Sequence, residues 1–264
     1  MLPWVDDVLQ RIKGDYSESP PEHTQEEFTQ EDMKYAKSMS VTDQFDTLGL
    51  KQEMLHKGSI KSVSSLGEIL VIGWTSPPWN TWWRAIRLLV AKRGGGPVRI
   101  LIFAHPKKRL LPQRNHPVKE EHINGGYAMR CDASSIVIYR KEEATRVLIH
   151  ELLHASCSDP YHKETPHIEA DTEAWAEIML CGMAAHGSAA SWRRLMREQI
   201  NYSLRQAATL RDHHRVNTEA DYAWRYTIGR LDVWRGLGLD VAEPPSHYTA
   251  CESLRLTICE PENI

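Results

Sequence analysis

The eight residues Val147-Leu-Ile-His-Glu-Leu-Leu-His154 constrain this chain more than any other stretch. Five of them are aliphatic, so a helix formed here is buried around most of its circumference. His150 and His154 then fall one turn apart on one face. Two buried imidazoles and the Glu151 carboxylate need polar partners, because unpaired burial costs several kcal/mol. One cation meets that need. Neutral imidazoles at i and i+4 both reach a single Zn²⁺ at roughly 2.0–2.1 Å. Glu151, beside the first ligand, is placed to act on a water there.

A catalytic zinc takes three protein ligands and keeps one position open. The next helical stretch, expected from an N-cap at Thr165 with Pro166 at the first helical position, runs to about Met183. It carries Glu169, Glu173 and Glu177 at i, i+4 and i+8, a stripe of like charge that is mildly destabilising by itself. Packed antiparallel on the motif helix, it offers Glu173, about seven residues in and roughly 10 Å along at 1.5 Å per residue, as the best-placed third ligand. Glu177, one turn deeper, is placed to accept the outer N–H of His150. Glu169, His162 and His167 remain open as alternatives to Glu173.

His150-Glu-Leu-Leu-His154 followed by Glu173-Ala-Trp-Ala-Glu177 resembles the gluzincin branch of the zincin metallopeptidases. The separation, 173 − 154 = 19, is within that family's habit, and Glu177 replaces the more usual Asp. The metzincin pattern does not fit, because the sixth position after His154 is Pro160. The resemblance covers roughly residues 66–183. It implies one catalytic Zn²⁺ held by His150, His154 and Glu173, with Glu151 as general base in peptide-bond hydrolysis. It also implies a peptide or protein substrate and an edge strand lining the cleft, for which Ser135–Tyr139 is the candidate. A transition-state donor is expected too, and His213, His214, Tyr222 and Tyr226 are the candidates. A SprT-like DNA-associated protease, with His162 or His167 as third ligand, is the alternative enzyme. A non-catalytic zinc-binding module is the alternative outside enzymes.

The expected fold class is α+β. Strands are predicted at 68–74, 98–104, 127–131 and 135–139, with a helix at 79–92 ended by Gly94–Gly96. The motif helix is predicted over 141–157. After 183 the patterns at 188–211 and 218–234 are helical. The reading is a small mixed sheet packed on the motif helix, then a mainly helical C-terminal half, in a zincin-like domain over 65–264. Residues 1–64 form an acidic segment, partly helical or flexible, with helices expected near 5–12 and 33–56. Between Met1 and Lys34 there are nine acidic residues and three basic ones.

Charge separates along the chain. Between Ile69 and Lys119 there are ten Lys or Arg and no Asp or Glu. A solvated face is the plain reading of this basic 84–119 segment. The functional ones are an acidic partner, nucleic acid, or the chain's own acidic N-terminus. A net charge of −3 gives no global pull toward nucleic acid or membrane. The chain has no 18-residue apolar run. Its first residues, Met1-Leu-Pro-Trp-Val-Asp-Asp, lack the pattern of a signal peptide. The five scattered cysteines read as reduced thiols, and an intracellular location is expected.

Overall fold

The computed structural model describes residues 2–90, 96–160, 162–243 and 247–259. The chain is mixed α and β, with a six-stranded mixed sheet and a helical C-terminal half. Its contacts group into two compact units. A sheet unit comprises Asp15–Lys108 and Asn124–Ser158, and a helical unit comprises residues 2–14, Arg109–Ile123 and residues 159–259.

In the sheet unit the strands are β1 (His23–Glu26), β2 (Ser59–Ser64), β3 (Gly67–Ile72), β4 (Val98–His105), β5 (Gly126–Tyr127) and β6 (Ile136–Arg140), in the order β1-β2-β3-β4-β6-β5. The pairs β3/β4 and β4/β6 are parallel, and the other three are antiparallel. The central strands are continuous runs of branched residues, as strands covered on both faces are. Leu70, Ile72, Leu101, Phe103, Val137 and Tyr139 share one face, covered by Ala36 of α2 (Gln30–Met39) and by Leu50 and Met54 of α3 (Leu50–Met54). The alternating residues Ile69, Ile100 and Ile136 point the other way. There α4 (Trp79–Leu89) bonds Ser62 of β2 through Trp83 Nε1 at 3.0 Å. Trp82 Nε1 donates to Thr145 Oγ1 at 2.8 Å, joining α4 to α6 (Ala144–Ala155), which also packs on β5 and β6. The β2–β3 turn depends on Gly67, whose φ is +132° and where a Cβ would overlap the Val98 carbonyl.

The helical unit begins with α1 (Pro3–Ser17), which continues to the start of the sheet unit, and includes α5 (Glu120–Ile123). Its centre is α7 (Thr165–Ala184), packed on α8 (Ala189–His214) and α9 (Ile228–Gly236). Trp234 Nε1 donates to the Ala174 carbonyl at 3.2 Å and Trp192 Nε1 to that of Ile178 at 3.3 Å.

Several expectations are corrected. The strands β1 and β2 lie inside the stretch read as acidic and partly flexible. The helix expected over 33–56 is two helices, separated by turns that Asp43 and Asp46 hold together by accepting backbone N–H bonds. The strand expected at 127–131 pairs over Gly126–Tyr127 only. It is β5 that forms the edge, while the strand near Ser135–Tyr139, proposed as the edge, is interior. The N-cap of α7 is Glu164, without a side-chain cap bond. The helix expected at 218–234 is a 3₁₀ turn at Tyr222–Trp224 followed by α9. The expected helix end at Lys92 and the turn beginning at Gly94 lie outside the described residues. No helix among the described residues is long and apolar enough to cross a membrane.

Candidate metal centre

All twelve residues of α6 are buried. The helix enters from Glu143, held in the left-handed region at φ 61°, directly after β6. That sharp entry turns the chain from the sheet onto its face and carries His150, Glu151 and His154 into the interior, 6, 4 and 8% exposed. The imidazole Nε2 atoms of His150 and His154 stand 3.0 Å apart, with ring planes 76° to one another. One ligand atom from each of His150, Glu151 and His154 falls within a 4.8 Å group. Two nitrogens each about 2.0–2.1 Å from a tetrahedral ion lie about 3.3–3.4 Å apart. The observed 3.0 Å is a few tenths of an ångström short of that, so the three residues are a group that could hold a metal ion once the rings part slightly, and the same separation suits one ring donating its N–H to the other.

The edge strand closes on this helix. Gly126 comes so near that a Cβ would lie 2.7 Å from Val147 Cγ1, 2.8 Å from the Val137 carbonyl oxygen and 3.4 Å from Glu151 Oε1. The backbone of β5 thus forms the wall against which the Glu151 carboxylate stands.

The far end of α6 is tied down twice. The His154 carbonyl accepts N–H bonds from Cys131 at 3.0 Å and Cys157 at 3.1 Å. The two cysteines are joined by a disulfide. Reduced thiols were expected throughout, and this pair corrects the reading, while Cys181, Cys251 and Cys259 are free. No sequence spacing reveals it. A left-handed Cys157, at φ 57°, turns back beside Cys131, 26 residues away.

The other ligand candidates lie in the helical unit. Glu173 on α7 is 2% exposed. Glu169 is half-buried, and His162 is exposed. His167 Nε2 lies 2.8 Å from Glu219 Oε2, and its ring packs edge-on to Trp224. Among the donor candidates, Tyr222 and Tyr226 bring their hydroxyls within 3.2 Å. Burial raises the Tyr226 phenol well above its ordinary value, and the Glu169, Tyr222 and Glu173 groups add to the effect. The two tyrosines therefore share the surroundings of Glu169 and Glu173. The histidines instead hold the 115–116 backbone: Asn115 N–H donates to the His213 carbonyl at 2.7 Å, and His214 Nδ1 lies 2.9 Å from the His116 carbonyl.

Glu177 has partners that the sequence did not suggest. Thr257 Oγ1 donates to its Oε1 at 2.6 Å, and Arg230 Nη1 lies 4.0 Å from its Oε2. Thr257 sits 80 residues away, beyond any local pattern.

Part of the basic segment is already engaged within the sheet unit. Arg84 and Arg87 both bind the buried carboxylate of Asp15, at 3.1 and 2.6 Å. Arg99 Nε lies 2.7 Å from Glu68 Oε1. Lys92 and Arg93 lie outside the described residues. Family models, curated proteins and solved structures were compared with this chain, and none matches it.

Proposed function

We propose that this chain is a zinc-dependent peptidase of zincin-like architecture, with His150, His154 and Glu173 holding the ion and Glu151 as general base. The observation that carries this reading is the buried pair of imidazoles, Nε2 to Nε2 at 3.0 Å, with the Glu151 carboxylate beside them. A bound zinc supplies Lewis acidity, polarising a carbonyl and acidifying a water. In this reading Glu151 takes the proton of the attacking water and delivers it to the leaving amine. The β5 backbone at Gly126 limits the space on one side of that carboxylate. The Cys131–Cys157 disulfide and the two N–H bonds to the His154 carbonyl fix the helix turn that bears the second ligand. If Glu173 is the third ligand, Tyr226, whose phenol feels the Glu169 and Glu173 charges, is the candidate this reading favours for stabilising developing charge.

The test is zinc content together with hydrolysis of a protein library. About one zinc per chain is expected, with cleavage abolished in Glu151→Gln while the zinc is retained. Equal cleavage by the variant would end the assignment. Zinc-loaded protein that cleaves nothing would favour a binding module instead.

A further inference from the structure

The helical unit holds a second cluster, apart from the proposed peptidase chemistry. Cys181 on α7 and Cys259 on the C-terminal tail place their Sγ atoms 3.8 Å apart, and both are buried. Glu177 Oε1 lies 3.8 Å from Cys181 Sγ. The tail is held in this position by a chain of polar contacts. Thr257 Oγ1 donates to Glu177 and accepts from the Cys259 N–H at 3.0 Å. Gln199 takes the Ile258 N–H at 2.9 Å and donates to the Leu256 carbonyl at 2.8 Å. Arg230 donates to the same carbonyl at 2.9 Å.

We propose that Cys181 and Cys259 are a disulfide-forming site, oxidised by a low-molecular-weight disulfide, which covalently latches the C-terminal tail to α7. The geometry favours this over a cation site. Oε1 of Glu177 already accepts from Thr257, and the Arg230 guanidinium beside Oε2 repels a cation. Among the described residues, no lysine or arginine is one of the groups that shift the Cys181 thiol, so nothing prepares it as a thiolate. Instead the hydrogen bond to Cys259 and burial hold the Cys181 thiol well above its ordinary value. Cys259 sits on the tail and Cys181 on the packed helix α7, so Cys259 is the thiol that reacts first when the tail lifts. Its thiolate attacks one sulfur of the small disulfide, forming a mixed disulfide and releasing one thiol. Cys181 then loses its proton and displaces the second small thiol, which leaves carrying that proton. Two protein thiols are oxidised and one small disulfide is reduced to two thiols. The new bond closes a loop across 78 residues, a long constraint on the unfolded chain.

The experiment treats the full folded chain with excess oxidised glutathione, blocks remaining thiols by alkylation, and maps peptides without reduction. The expected result is a cross-linked peptide pair bearing Cys181 and Cys259, with a thermal midpoint several degrees higher that Cys259→Ser does not gain. Recovery of both cysteines alkylated would overturn the proposal, as would glutathione left on Cys259 with Cys181 alkylated. A metal retained by His150→Ala, lost in Cys259→Ser, and needed to keep the thiols unreactive would replace the latch with a cation site. In His150→Ala the cross-link is expected unchanged, which separates this proposal from the peptidase reading.

Discussion

Replacing Gly126 with alanine adds one methyl group at the tightest contact of the candidate centre. Gly126 does not take a positive φ, so the cost is steric rather than conformational. The new Cβ would lie 2.7 Å from Val147 Cγ1 and 2.8 Å from the Val137 carbonyl oxygen. The valine methyl sits on a fully buried helix and the carbonyl belongs to the neighbouring strand, so neither yields by rotating a flexible chain. Overpacking of this kind costs about 1–3 kcal/mol. The smaller entropy of the unfolded alanine chain offsets about 0.4–1 kcal/mol of that. The net loss falls between about 0 and 2.6 kcal/mol, centred a little above 1 kcal/mol, and is read as a lower urea midpoint at unchanged slope. Val147→Ala removes one of the two clashes. In the double variant the alanine at 126 should therefore cost less than it does alone, giving a measurable coupling. Because Glu151 Oε1 stands 3.4 Å from the same Cβ position, any hydrolytic activity should fall more than stability does. A Gly126→Ala protein at least as stable as the wild type and without coupling to Val147→Ala would refute the close packing of β5 on α6.

Other outcomes follow from single contacts. His150→Ala and His154→Ala should each lose bound zinc, while Glu173→Ala loses it and Glu169→Ala keeps it, measured by elemental mass spectrometry. Asp15→Asn leaves Arg84 and Arg87 without their shared carboxylate, and breaking such a buried group costs about 3–5 kcal/mol in chemical denaturation. For Asp32, burial pushes the carboxyl up, but the Thr29 hydrogen bonds and Lys61 outweigh it and hold the value below normal. A depressed folded value means that its stabilisation is complete above the unfolded value, about 3.9, and is lost as pH falls through the folded one. The stability gap between wild type and Asp32→Asn should therefore be flat from neutral pH to about pH 5 and narrow below about pH 4, followed by urea unfolding across pH.

The sequence determined the central strands, the motif helix, α7 and α8. Each is written in local periodicity, and the apolar residues around His150 and His154 dictate burial wherever that helix packs. The i, i+4 spacing likewise put the two imidazoles on one face, and the structure brings their Nε2 atoms together. Tertiary structure decided what local pattern does not encode. The strand β1 reads His-Thr-Gln-Glu and β2 carries three serines, so only pairing in the sheet, β2 on β3 and β1 on β2, makes them strands. Gly126–Tyr127 became the edge because β6 inserts between it and β4. The Cys131–Cys157 bond, the Thr257–Glu177 contact and the Cys181–Cys259 pair each join residues far apart in sequence. Such contacts depend on where whole elements dock, and docking is set by the packing of many side chains at once rather than by any run of neighbours.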